Sequence, residues 1–321
     1  MVFLKKNIPE AAIPILLASV SEKTMKQYNT VFTRWWEFCI KSTIDPFEYK
    51  LSGIISFIES MLDKDFSFSS INTHRSALSL VIDISEKDKH IVSRYFKGIY
   101  NLKTPTPKYS FTWNPSLVLV YLEKGREGLS LEKLSYKLVM LMALTSAHRL
   151  QMISLIKIQN ILVTDDQVEI RIPDRIKTSG KNRCQPILLF PFFIEKPELC
   201  VASTICHYLK IMKVLRSPLE DRLVLTIKKP HRTASSQSLS RWLKNILTTC
   251  GIDTYIFKGY STRYAATSAA ARAGLNIEII RETAGWTKKS EVFNKFYHKP
   301  LARDDSTFAK AVLTKIVSKY C

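Results

Sequence analysis

The sequence predicts a mainly α-helical protein with one small β-sheet, divided into two domains. Three observations carry this reading. The chain has 321 residues, about twice the usual single-domain length. Apolar residues recur at helical spacing over most of it, and only residues 161–190 alternate as strands do. Between Asn101 and Lys108, Pro105 and Pro107 forbid a continuous helix. The charge also changes there. Residues 1–106 carry 14 Lys+Arg against 11 Asp+Glu, while residues 107–321 carry 34 against 17. The expected domains are therefore 1–106 and 107–321.

The N-terminal domain reads as a helical bundle. Ala11–Ala18, after Lys5 and Lys6, loosely imitates a secretory signal, but Pro14 interrupts it. It runs straight into a helix start, so it is read as a packing segment. Ser21 caps a helix carrying Tyr28, Phe32, Trp35, Trp36 and Phe38. Trp35 and Trp36 are both expected in the core. Further helices are expected over 52–62 (Ile54, Ile55, Ile58, Leu62), 69–84 (Ile71, Leu78, Leu80, Val81) and 91–99. Lys23, Lys26, Arg34, His74 and Arg75 either face a phosphate backbone or are simply solvated.

In the second domain, helices are expected over 115–122, 129–146 and 150–156. Strands follow at 161–164 and 167–172, joined by a turn at Asp165-Asp166. A hairpin over Arg175–Lys181, with Gly180 at its tip, leads into a strand at 186–190. The remainder is helical: 200–213, 235–249, 261–273, 277–283, 290–296 and 306–317.

Composition narrows the function. Apolar residues at 46% and charged residues at 24% fit a globular protein, and nine Gly with thirteen Pro, unperiodic, exclude a fibrous one. The six Cys (Cys39, Cys184, Cys200, Cys206, Cys250, Cys321) form no CxxC pair, which argues for reduced thiols in an intracellular setting. The six His show no ligand spacing, so neither metal nor cofactor is expected. The net charge of +20 predicts a polyanionic partner. Nucleic acid is favoured over a membrane, because no apolar run approaches the roughly 18–20 residues that span one.

Asp165-Asp166 and Asp304-Asp305 sit at a turn and a helix start, where Asp is favoured locally, so they are poor metal-binding pairs. No Gly-rich phosphate loop or GxSxG is present. What remains is basic and phenolic. Thr145-Ser146-Ala147-His148-Arg149-Leu150 puts Arg149 between two helices, and Lys258-Gly259-Tyr260-Ser261-Thr262-Arg263-Tyr264 puts Arg263 in the first turn of an Ala-rich helix. Ala284-Gly285-Trp286 then precedes Phe296-Tyr297-His298-Lys299-Pro300.

In this order, Arg149, the hairpin lysine, Tyr260-x-x-Arg263, Gly285-Trp286 and Phe296-Tyr297 resemble the tyrosine recombinase (phage integrase) family. The texture is most similar to the recombinases of DIRS-like and Crypton-type mobile elements. The resemblance covers nearly the whole chain. It implies a helical core-binding domain followed by an α+β catalytic domain. It also implies site-specific cutting and rejoining of double-stranded DNA through a 3′-phosphotyrosyl link. Tyr297 matches the nucleophile, and Arg149 and Arg263 match the phosphate clamp. Lys177, or alternatively Lys181, matches the general acid, and Trp286 the residue packing on the phosphate. Tyr260 stands where the family has histidine. It can donate a hydrogen bond, but it cannot shuttle protons near neutral pH. Tyr264 and Met152 are further departures. Without the family pattern, Tyr297 would be read as a packing aromatic.

Lys181, Lys228, Lys229, Arg232, Arg241 and Arg75 are candidate DNA contacts. For the run 228–232 a nuclear-import signal and, ahead of both, a solvated loop are the alternatives, and for Lys181 an ordinary hairpin charge. The resemblance further implies a dimer or tetramer on DNA and a nuclear location. The stripe Ala309, Val312, Leu313, Ile316 and Val317 is expected to dock on a neighbouring protomer or on its own domain. A DNA-binding protein without catalysis, and then a type IB topoisomerase, are the competing readings.

Overall fold

The computed structural model describes residues 7–106, 108–124, 128–176, 179–180, 185–287, 297 and 299–301. The expected helices at 290–296 and 306–317, together with Lys177 and Lys181, lie outside the described residues. The chain divides into two compact units, residues 1–107 and 108–321.

The first unit holds α1 (Ile13–Ala18), α2 (Glu22–Ser42), α3 (Leu51–Asp63), α4 (Phe68–Leu78) and α5 (Lys89–Leu102). Ser21 caps α2 by accepting from the Thr24 amide, and Ser67 caps α4 by accepting from Ser70. Trp35, Phe57, Ile58, Ile71, Leu78, Val92 and Phe96 form the core. Fully buried side chains such as Phe57 and Ile58 contribute about 1.5–3 kcal/mol each. The Trp35 indole lies edge-on to Phe57 at 5.1 Å and donates Nε1–H to the Pro46 carbonyl at 2.9 Å.

Four expectations are corrected in this unit. Trp36 is 45% exposed and only leans on Phe47, because one helical step from Trp35 rotates it out of the core stripe. The 11–18 stretch is not packed away, since Ile15, Leu16 and Leu17 on α1 are exposed. The helix expected to reach residue 84 ends at Leu78, and turns continue to Ile82. His74 is buried, its Nδ1 held 2.8 Å from the Ser70 carbonyl, and burial lowers its pKa. It cannot contact a phosphate backbone from there.

The second unit holds α6 (Pro115–Glu123), α7 (Leu131–Ser146), α8 (Leu150–Leu155), β1 (Ile161–Val163), β2 (Gln167–Arg171), β3 (Ile187–Pro191), α9 (Val201–Leu215), α10 (Ser236–Thr249), α11 (Ser261–Arg272) and α12 (Ile277–Thr283). Helix α7 is apolar almost all round, with Leu134 and Leu138–Ala143 buried, as a central helix must be. Helices α9, α10 and α11 pack around it. The sheet is antiparallel in the order β1-β2-β3, with Val168 opposite Phe190 and Ile170 opposite Leu188. Those four side chains face the core, while Leu162, Ile187 and Leu189 face outward. The unit is thus mainly α with a small sheet.

Candidate active site

Two local constructions bring the candidate residues together. At the end of α7, the Ser146 hydroxyl donates to the Met142 carbonyl at 2.6 Å and accepts from the His148 amide at 3.3 Å. Ala147 then takes a left-handed conformation (φ 50°), which turns the chain so that Arg149 stands at the N-cap of α8. At the start of α11, Gly259 lies against α10. A Cβ there would be 2.7 Å from the Ser240 carbonyl oxygen, so only glycine fits. The Trp113 indole anchors the same turn by donating to Ser261 Oγ at 2.9 Å.

Arg263 projects from that turn into the interior and is 3% exposed. Its Nη2 donates to the Ala284 carbonyl at 2.7 Å. Its guanidinium lies 4.5 Å from the Trp286 ring and 5.4 Å from the Tyr297 ring. Among the described residues, the buried Nε and Nη1 have no hydrogen-bond partner. Burial, and next the neighbouring Arg149 charge, lower its pKa to about 10. Arg263 therefore stays protonated at neutral pH, as a desolvated cation with two unspent donors.

Tyr297 is buried beside it. Its ring stacks on Tyr264 (4.2 Å, 15° between planes) and tilts against Trp286 at 4.8 Å. Its hydroxyl lies 2.5 Å from that of Tyr260. Burial, reinforced by that hydrogen bond, raises the Tyr297 pKa well above the ordinary phenol range. Tyr260 itself is 38% exposed, so the pair links the buried phenol to solvent.

The structure thus brings Arg263, Trp286, Tyr260 and Tyr297 into one cluster, with Arg149 close enough to act on Arg263 electrostatically. The other candidates stand apart from it. Lys228, Lys229 and Arg232 are exposed on the loop closed by the Leu225–Thr233 bridge. Arg241 is exposed on α10, its Nη2 3.3 Å from Ser238 Oγ. Arg75 belongs to the first unit, with its guanidinium 4.8 Å from the Phe96 ring. Among the described residues, no group of His, Cys, Asp and Glu could hold a metal ion, and no helix is long and apolar enough to cross a membrane.

Two residues at the cluster escaped the sequence reading. His148 is buried, and it lines an open cleft of about 930 Å³ bounded also by Ile176, Pro186, Glu282, Gly285 and Trp286. Burial, then the charges of Arg263 and Arg149, lower its pKa to about 4, so it is neutral at pH 7. Its one sequence signal is adjacency to Arg149. Ser268 is fully buried on α11 and donates to the Tyr297 carbonyl. A serine in an alanine run gives no such sign.

No protein-family model matches the chain, and no curated protein matches it in sequence. Its fold is similar to solved structures. One is a lambda integrase fragment, a dimer bound to a COC′ core site (12% identity, 92% of this chain and 94% of that one, TM-score 0.55). Another is the XerH site-specific recombinase bound to its difH substrate before cleavage (12% identity, 83% and 70%, TM-score 0.51). A third is the Tn1549 transposon integrase with transposon right-end DNA (14% identity, 84% and 86%, TM-score 0.51). At these identities the likeness shows the fold. A helical unit followed by a mainly helical unit with a three-stranded sheet is the tyrosine recombinase fold.

Proposed function

We propose that this chain is a DNA strand transferase that cuts and rejoins a duplex through a phosphotyrosyl link at Tyr297. The observation that carries the reading is Arg263, a buried cation with two donor nitrogens unpartnered among the described residues, packed against the ring of a buried tyrosine. Such a cation is costly in the free protein, and a phosphate oxygen satisfies it. The fold likeness and the order of the motifs support the same reading.

In the proposed reaction, Arg149 and Arg263 donate to the non-bridging oxygens of a backbone phosphate. The Tyr297 oxygen attacks phosphorus, and its proton passes to solvent water as the new bond forms. The bond to the 5′-oxygen breaks, and that oxygen takes a proton from Lys177 or Lys181. The products are a 3′-phosphotyrosyl link and a free 5′-hydroxyl. A second 5′-hydroxyl reverses the step and joins a new strand. Guanidinium forks meet the charge that grows on the phosphate. Tyr260 donates a hydrogen bond to the phosphate when Tyr297 leaves it to attack.

The finer reading is a mobile-element integrase or excisionase that acts as a dimer or tetramer on DNA. The motif texture supports it, as do fold relatives solved as a dimer on a core site, as a tetramer on a Holliday junction and with transposon-end DNA. A nuclear location follows only from the resemblance to eukaryotic elements. Phosphate contacts would come from the basic second unit, with Lys228, Lys229, Arg232 and Arg241 as candidates, and from Arg75 in the first.

One observation favours a second reading, binding without cleavage: the Tyr297 proton is held by burial and by Tyr260. Duplex binding across a salt series, with cleavage followed in chelator, tests both. The recombinase reading expects steeply salt-dependent binding, a slope of about −0.9 per phosphate contacted, together with cleavage that needs no metal. Binding without cleavage on any duplex supports the second reading. Salt-insensitive or absent binding refutes both.

A further inference from the structure

We propose that Ser268 is the positioning residue for Tyr297, clipping its backbone so that the phenol is presented to the arginine pair of its own chain. The inference rests on the strand-transferase reading and adds to it. The Ser268 hydroxyl is fully buried and makes two bonds to the backbone around the candidate nucleophile. It donates to the Tyr297 carbonyl at 2.5 Å and accepts from the Lys299 amide at 3.0 Å. One hydroxyl thereby satisfies the chain on both sides of residue 298.

Two further contacts continue the clip. Arg272, one turn on, donates Nη1–H to the Lys299 carbonyl at 3.2 Å. The Thr112 amide donates to the Pro300 carbonyl at 2.8 Å, and Thr112 pairs with Leu301 in a parallel bridge. The helix suits this use. Ala265 and Ala266 precede Ser268, and Ala269 to Ala271 follow it, so the run carries no bulky side chain to hold the 297–301 backbone away. A serine there adds hydrogen bonds without adding bulk. It stands five residues after Arg263 on one rigid helix, which fixes the distance between clamp and nucleophile.

A nucleophile tied at three points to the unit that carries Arg263 acts in that unit's own site. Were the 297–301 segment delivered to a neighbouring copy, all four hydrogen bonds to Ser268, Arg272 and Thr112 would have to break.

Three measurements on the full chain test the proposal. In Ser268→Ala, the rate of covalent adduct formation on a nicked duplex should fall about tenfold or more, while duplex affinity changes less than about twofold. Ser268→Thr, which keeps the hydroxyl, should recover part of the rate. Mixing Tyr297→Phe with Arg263→Ala protein should give no adduct, because each chain lacks one half of its own site. Amide exchange at Lys299 should speed up about tenfold or more in Ser268→Ala, with α7 amides unchanged. A Ser268→Ala adduct rate equal to wild type, or adduct restored in the mixture, overturns the proposal and leaves the strand-transferase reading intact. Wild type without adduct on any duplex overturns that reading, and Lys299 exchange then decides the clip alone: unchanged exchange refutes it.

Discussion

The hydroxyls of Tyr260 and Tyr297 lie 2.5 Å apart, so one donates and the other accepts at the centre of the site. The bond holds a proton on Tyr297 that attack on phosphorus must remove. Tyr260→Phe should therefore lower the pH at which Tyr297 ionises, since both the hydrogen bond and the Tyr260 charge raise it. Ultraviolet difference titration against Tyr297→Phe reads this directly. An unmoved midpoint would show that burial alone sets the proton.

Tyr260→His would place imidazole beside the phenol. We expect adduct formation to rise about tenfold near neutral pH and to acquire an acid limb near the usual histidine pKa of about 6.5. A slower variant without an acid limb would show that position 260 serves as a hydrogen-bond donor only.

Arg263 sets function against stability. Its guanidinium is desolvated; Nη2 donates to the Ala284 carbonyl, and among the described residues Nε and Nη1 have no partner. Arg263→Met should abolish adduct formation while stabilising the free protein by about 1–3 kcal/mol, by analogy with buried ion pairs replaced by apolar residues. Thermal unfolding of the two proteins gives the sign. A destabilised variant would mean that the contacts with Trp286 and Tyr297 outweigh desolvation.

How much of this was legible in the sequence depends on the kind of residue. Element positions were legible because α7 carries a nearly unbroken apolar face and α10 an apolar stripe, while α11 shows as an alanine-rich run. Trp36 was misplaced because a helix presents two adjacent tryptophans about 100° apart and only Trp35 can face the core. The α1 segment is as apolar as a core helix, and nothing in its composition distinguishes the exposure of Ile15. At the site, Arg263 and Tyr297 were legible through the spacing of ordered motifs. Ser268 and His148 were not, since a backbone clip and a neutral buried imidazole depend on what the fold places opposite them.

Gly285 has two reasons to be glycine. Its φ is 67°, and a Cβ would lie 3.0 Å from His148 Cε1. Gly285→Ala should cost about 1–2 kcal/mol in urea unfolding from the left-handed backbone alone, and more if His148 cannot yield. Because Trp286 follows directly, adduct formation should slow as well. A neutral substitution would show that the turn relaxes.

His148 makes stability pH-dependent. Its folded pKa, about 4, lies below the ordinary 6.5. The unfolded chain therefore takes up the proton first as pH falls. The contribution is present in full above about pH 6.5 and is lost progressively down to about pH 4, where the loss totals about 3 kcal/mol. His148→Gln should flatten this limb by that amount relative to wild type. The shift of His74 has the same sign, and it remains in both proteins. An unchanged limb would contradict the buried, neutral imidazole.

The central claim is that the Tyr297 oxygen becomes bonded to DNA phosphorus. Covalent trapping on a nicked duplex that carries candidate element ends, in chelator, tests it most directly, with peptide mapping of the adduct. The account predicts a denaturation-resistant protein–DNA species in wild type, mapped to Tyr297 and lost in Tyr297→Phe, with duplex binding retained. An adduct that persists in Tyr297→Phe, or maps to another residue, would contradict it.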